Sequence, residues 1–253
     1  MHKLYIALGL LVGSLCMSSC TASKENTLRM MTYNIHNAIG MDDKVDIKRV
    51  SEVILREDPD VVAVQEVDSV TERSGKTDLL KEIGKQTGMY ACFAPAIEYQ
   101  GGKYGIGILS KTAPKSLKQI ALPGREEART LLLAEFDTYY FACVHLSLTA
   151  EDRKASAALI QQVLPDVDKP VFLAGDWNME PSSSEFKEME KIVTILNDTT
   201  IRTCPAPHPE ECIDYVAVAK QAGQNSPVET LSREVIEEKV ASDHRPVVVA
   251  VKW

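Results

Sequence analysis

Residues 169–178 read Lys169-Pro170-Val171-Phe172-Leu173-Ala174-Gly175-Asp176-Trp177-Asn178. An apolar β-type run opens after proline and closes on a glycine, an acid and an amide. A buried strand that ends in an unpaired carboxylate costs free energy, so a single case would be read as a turn. The pattern recurs, however. Thr32-Tyr33-Asn34-Ile35-His36, Gln65-Glu66-Val67, Val144-His145-Leu146, Ile213-Asp214-Tyr215 and Ser242-Asp243-His244-Arg245-Pro246 each lie within or beside such a run. Repetition of this kind implies that several strands converge on one polar site. The donors are oxygens plus two histidines, with no Cys/His cluster, which favours Mg²⁺, Mn²⁺ or Ca²⁺ over structural zinc.

Outward from these points, β-type runs occur at 28–35, 60–67, 104–110, 130–136, 139–147, 170–175, 213–219 and 246–252. Helical spacing appears between some of them. Asp46 to Glu57 places Ile47, Val50 and Ile54 on one face, and Asp58-Pro59 ends it. Thr77 to Thr87 follows a Ser-Gly turn and stops before Gly88. Thr149 opens a third helix, with Asp152 as its capping partner, running to Leu164. Ser182 and Glu185 are spaced as a capping box for a fourth, from 182 to 191. The runs 130–136 and 139–147 read as a hairpin around Asp137-Thr138. This is neither a regular βαβ alternation nor an all-β chain. The architecture implied is an α/β domain of two packed sheets with helices outside.

The chain has 253 residues, 45% apolar and 25% charged, which suits one large domain. No run in its body approaches the roughly 20 apolar residues of a membrane span. A net charge of −8 argues against a large basic nucleic-acid surface and leaves only a local patch for such a partner.

The first residues stand apart. Lys3 is followed by an apolar core from Leu4 to Leu15 and then Met17-Ser18-Ser19-Cys20. This is a secretory signal, too short for a transmembrane helix, and it resembles a bacterial lipobox. The expected organisation is a signal peptide over 1–19, acylated Cys20, a tether over 20–27 and one domain over 28–253. Cleavage near Ala22 without acylation is the alternative. A lipid-anchored location follows, periplasmic or at the outer membrane. Cys92 and Cys143 lie in apolar runs and read as core. Cys204 and Cys212 flank a short loop and either bridge or stay free; a zinc site with His208 matches no common spacing.

The order Asn34, Glu66, Tyr104, Arg129, His145, Asp176–Asn178, Asp214, Asp243–His244 resembles the endonuclease/exonuclease/phosphatase (DNase I-like) superfamily across essentially the whole mature chain. That resemblance implies a four-layer α/β/β/α sandwich and metal-dependent hydrolysis of a phosphoester. Glu66 is then the leading metal ligand, with Asn34 and Asp243 completing the shell, directly or through water, around Mg²⁺, or Mn²⁺ in its place. Asp176 would orient or deprotonate the attacking water, and Asn178 would help hold phosphate or nucleophile. His244 would donate to a phosphate oxygen, with Asp214 fixing its tautomer and favouring the imidazolium. His145 would be a second imidazole, acting on the phosphate or the leaving oxygen. Gly101-Gly102-Lys103 stands where a carboxylate partner for it would be sought, just ahead of Tyr104. Tyr104 would reach phosphate, while Arg129 would either contact substrate or brace the site by pairing with carboxylates. Trp177 reads as packing, and His36 carries no assigned role.

The expected activity is hydrolysis of a small or lipid-linked phosphoester by a monomer held at the membrane by its lipid. A non-specific extracytoplasmic endonuclease is the alternative enzyme, although the acidic total does not favour nucleic acid. A catalytically inactive binding module on the same fold would show erosion of the motif set, and no main position is missing. Arg73, Lys76 and Lys103 either offer local positive charge to substrate or form a solvated loop.

Overall fold

The computed structural model describes Met1, residues 25–220 and residues 227–253. The signal segment beyond Met1, Cys20 and the tether up to residue 24 lie outside the described residues. Among the described residues, twelve strands form two six-stranded sheets. The first contains β1 (Thr27–Asn34), β2 (Val61–Ser69), β3 (Tyr90–Tyr99), β4 (Gly102–Ser110), β11 (Glu229–Val235) and β12 (Val247–Lys252), in the order β11-β12-β1-β2-β4-β3. The second contains β5 (Ser116–Leu122), β6 (Arg129–Glu135), β7 (Tyr140–His145), β8 (Val171–Asp176), β9 (Val193–Ile195) and β10 (Asp214–Ala219), in the order β5-β6-β7-β8-β10-β9. β1 runs parallel to β2 and β7 parallel to β8, while the remaining neighbours are antiparallel.

Strand alternation explains the layering. On β1, Leu28 and Met30 enter a core shared with Phe141 and Cys143 of β7 and Phe172 and Ala174 of β8. Met31 and Tyr33 face the other way, onto Val50, Val53 and Ile54 of α1 (Ile47–Glu57) and Leu79, Leu80 and Ile83 of α2 (Leu79–Thr87). The outer face of the second sheet packs on α3 (Ala150–Val163) and α4 (Ser184–Ile192) through Ala157, Ile160, Phe186 and Met189. Helices, sheet, sheet, helices: the four-layer sandwich is borne out. The side chains of Asp46 and Asp78 cap α1 and α2 by accepting from Arg49 N and Lys81 N, each worth about 1 kcal/mol.

Several local readings need correction. β3, β5, β9 and β11 were not expected; all four are sheet edges, β3, β5 and β11 are largely exposed or half-buried, and β9 is only three residues long. Thr149 starts its helix without a side-chain cap, and Asp152 is held by Arg125 instead. The cap of α4 is Ser183, bonded to Phe186 N, not Ser182; Glu185 turns to Arg153. The hairpin at Asp137-Thr138 is present, with Glu135 opposite Tyr140. Cys204 and Cys212 are both free thiols, as are Cys92 and Cys143.

Candidate active site

The inter-sheet face stays apolar along most of its length and turns polar at one end. Asn34, Tyr104, His145, Asp176 and Asp214 all stand at that end. The parallel register that sets His145 opposite Asp176, and the antiparallel one that sets Asp214 opposite Asp176, bring three of them together on neighbouring strands. Just beneath lies a buried polar layer in which Thr32 donates to Gln65 Oε1 and Gln65 Nε2 reaches Cys143 Sγ at 3.4 Å.

Glu66 arrives differently. Gln65 already occupies the inward position, so alternation alone would turn Glu66 toward the helices. The register between β2 and β4 shifts between Val64 and Val67, and Glu66 has φ 57°. This bulge re-aims its side chain, and Asn34 Nδ2 donates to Glu66 Oε1 at 3.2 Å and to Asp176 Oδ2 at 3.1 Å. Positive φ recurs around the site, at His36, Asn37, Ala38 and Asn178. Backbone strain of this kind persists only where the surroundings over-determine it.

Asp214 and His244 pair directly, Nδ1 to Oδ2 at 2.9 Å, and both are buried. The same oxygen accepts from Thr203 Oγ1 at 2.6 Å, while Asp214 Oδ1 has no partner. His244 Nε2 lies 3.7 Å and His145 Nε2 3.5 Å from Asp176 Oδ2. Burial opposes the charge on His244, but the carboxylates of Asp214 and Asp176 overcome it and hold the imidazolium well above its ordinary range. His145 goes the other way: burial, with Arg129 and His244 adding, keeps it neutral well below that range. Burial also raises the Asp176 carboxyl, with Asp214 adding and His244 opposing.

Asp243 borders this group. Ser242 Oγ donates to Asn34 O at 2.7 Å and approaches Asp243 Oδ1 at 3.3 Å. Asn178 folds back so that its N–H donates to Asp176 Oδ1, and its side-chain amide holds Leu146 O. Arg129, 7% exposed, is braced between Glu126 and Glu127 at 3.6 and 3.2 Å, and its Nε has no partner. Arg129, Tyr104, Glu127 and His145 line one narrow cleft. Burial raises Tyr104, with Glu66 and Glu127 adding. Trp177 packs between Phe186 and Tyr215. Two roomier surface grooves, one beside α2 and β3 and one beside the end of α3, contain no histidine and lie away from these strand ends.

Among the described residues, one acid and imidazole group is compact enough for a cation: Asp176, Asp214 and His244. His244 is held protonated there, which makes it a poor ligand. Glu66 and Asp243 offer the carboxylate oxygens that a hard divalent cation takes, and Asn34 turns its Nδ2 toward Glu66. Glu66 pairs with no Lys or Arg among the described residues, so its charge is open to a cation. Glu127 and Thr203 escaped the sequence reading, and Ser242 was quoted in its motif without a role. They sit in connections without periodicity, and only the acidic pair ahead of Arg129 offered any signal.

The profile of the Endonuclease/Exonuclease/phosphatase family matches residues 31–244, and the chain belongs to that family. Solved structures agree on the fold. One from Beutenbergia cavernae, described as an endonuclease/exonuclease/phosphatase, has a TM-score of 0.72 at 21% identity, covering 89% of this chain and 71% of its own. A family protein from Bacteroides thetaiotaomicron has a TM-score of 0.70 at 16% identity, covering 91% and 99%. A mannosyl-6-phosphatase from the same organism has a TM-score of 0.68 at 17% identity, covering 88% and 99%. No curated protein matches the chain in sequence.

Proposed function

We propose that the protein is a secreted, membrane-tethered, Mg²⁺-dependent phosphodiesterase or phosphatase acting on a small or lipid-linked phosphoester. The observation that carries this reading is the meeting of Asn34, Glu66, His145, Asp176, Asp214 and His244 at one end of both sheets. Glu66 and Asp243 would hold the cation, and Asn34, whose Nδ2 donates to Glu66 Oε1, would orient that carboxylate. When bound, Mg²⁺ supplies Lewis acidity to a phosphoryl oxygen and lowers the pKa of water. Asp176, made more basic by burial, takes the proton of the attacking water. The water oxygen forms the new bond to phosphorus as the bond to the ester oxygen breaks. The departing oxygen keeps the electron pair and is protonated from solvent.

His244, kept as imidazolium by Asp214, donates to a phosphate oxygen as charge builds there. His145 is neutral and donates a hydrogen bond without giving up a proton. Arg129, held between Glu126 and Glu127, forms one wall of the cleft that would take substrate. Tyr104 closes the same cleft, and Asn178 holds the strand ends together over Asp176. Likeness to a mannosyl-6-phosphatase supports the small-phosphoester reading.

Purified protein assayed with Mg²⁺, Mn²⁺ and EDTA tests this. The panel is p-nitrophenyl phosphate, bis-p-nitrophenyl phosphate, sugar phosphates, sphingomyelin, phosphoinositides, RNA and plasmid DNA. Metal-dependent release of phosphate or alcohol from a small or lipid ester is expected. Cleavage of DNA alone would favour the endonuclease reading, and no hydrolysis at all would favour a binding module.

The anchor is part of the same proposal. β1 leads from Thr27 to Asn34, about 23 Å at strand spacing, so a tether ahead of Thr27 joins the sandwich at the end away from the site. Expression of the full precursor in a diderm host should give a membrane-bound product that resists salt washing, and Cys20→Ala a soluble or unprocessed one. Release of the wild type by salt would refute the lipid anchor.

A further inference from the structure

Arg73 follows β2 on the loop that borders the site, yet it is not a free surface cation. Its Nε donates to Asp68 Oδ2 at 2.6 Å and its Nη2 to Asp68 Oδ1 at 2.9 Å. Asp68 is fully buried, and Thr71 Oγ1 donates to it as well. The same guanidinium lies over the rings of Tyr99 and Tyr104, 4.6 and 5.4 Å from their centroids. Its remaining reach is across the site's rim: Nη2 donates to Asn37 Oδ1 at 2.6 Å.

Asn37 is the centre of a turn in which His36, Asn37 and Ala38 have φ of 45°, 54° and 60°. Three successive non-glycine residues in the left-handed region need restraint from outside the turn. The turn in turn controls Asn34. Its first amide, His36 N–H, donates to Asn34 Oδ1 at 3.1 Å. That bond orients the side chain so that Nδ2 faces Glu66 and Asp176. An unbroken line of hydrogen bonds and chain therefore runs from a buried carboxylate on β2 to the amide at the proposed cation site.

We propose that Arg73 is a positioning residue for that cation site. By holding Asn37, it fixes the left-handed turn, and through the turn it fixes the Asn34 side chain beside Glu66. The inference rests on the Mg²⁺ reading above. It gives the Asp68–Arg73–Asn37 strut a specific task, distinct from stapling the loop for stability. A staple that is removed lowers the melting temperature and leaves the affinity of a still-folded site unchanged. A positioning strut that is removed loosens the cation itself.

Calorimetric Mg²⁺ titration separates the two, run on the wild type, Asn37→Ala, Arg73→Gln and the double variant Asp68→Asn/Arg73→Gln. The double variant avoids leaving a charged Asp68 buried and unpaired, and Asn37→Ala leaves the ion pair intact, so the variants disturb the fold in different ways. Circular dichroism checks the fold of each. Mg²⁺ affinity should fall by about tenfold or more in every folded variant, the scale found when groups that orient metal ligands are removed. Wild-type binding with unchanged affinity in the folded variants would overturn the inference and leave the metal reading standing. A wild type that binds no Mg²⁺ would overturn the metal reading and the inference with it.

Discussion

Asn34 Nδ2 donates to Asp176 Oδ2 at 3.1 Å, joining the last residue of β1 to the last residue of β8. The two residues are 142 positions apart in the chain, and the bond ties the two sheets together at the site. The same amide nitrogen serves Glu66. Asn34 thus places a neutral donor between two carboxylates that would otherwise repel each other.

Asn34→Asp should turn that donor into a third carboxylate. In the metal-free protein we expect a loss of about 1–3 kcal/mol, which lowers the thermal midpoint by a few degrees in a domain of this size. Saturating Mg²⁺ should recover most of the loss, since a cation shared by the three acids offsets their repulsion. Melting curves in EDTA and in Mg²⁺ check this. An equal loss in both conditions would show that the position does not face the cation.

Glu66→Gln should abolish turnover and weaken Mg²⁺ binding while leaving the fold intact. Removing one charge from a group that includes Asp176 and Glu127 should leave the metal-free protein as stable as before or more so. Unchanged metal affinity in a titration of the variant would remove Glu66 from the ligand set.

Asp214 and His244 should behave as one unit. Asp214→Asn keeps a hydrogen bond but loses the charge that supports the imidazolium, and turnover should drop by roughly two to four orders of magnitude. The double variant Asp214→Asn/His244→Ala should be scarcely slower than His244→Ala alone. Fully multiplicative losses, measured at saturating Mg²⁺, would mean that the pair acts independently.

The two site histidines should leave opposite marks on stability against pH in the metal-free protein. His244 titrates in the folded state well above the ordinary value of about 6.5. Its stabilisation is complete below that value and is lost as pH rises through the folded pKa. His145 titrates well below its ordinary value, so it costs stability as pH falls beneath about 6.5 and nothing above it. Urea unfolding between about pH 5 and pH 9 should therefore show the alkaline decline flattened in His244→Asn and the acid decline flattened in His145→Asn. The reverse assignment of the two slopes would contradict the charge states used in the mechanism.

Much of this protein was legible in the chain because sheet geometry is local. On a strand, side chains alternate, so the positions of Leu28, Met30, Thr32 and Asn34 already place Asn34 on the face that carries the inter-sheet core. The same logic puts Asp176 in line with Phe172 and Ala174, and Asp214 in line with Val216 and Val218. The polar end of an apolar stripe could thus be read residue by residue. Edge strands such as β3 and β5 could not, because they lack one buried face and so carry no clear alternation.

Tertiary structure alone decided the rest. Glu66 lies on the wrong parity for the site until a bulge opposite β4 turns it inward, and that bulge depends on pairing with residues about forty positions away. Arg129 is neutralised by Glu126 and Glu127, Thr203 reaches Asp214, and Arg73 is committed to Asp68 and Asn37, all through loops whose shape their partners impose. The chain by itself determined which residues face the seam between the sheets, since that follows from a period of two. Which of them meet, and in what charge state, required the sheets to be stacked, because only stacking excludes water and brings distant carboxylates and imidazoles within reach of one another.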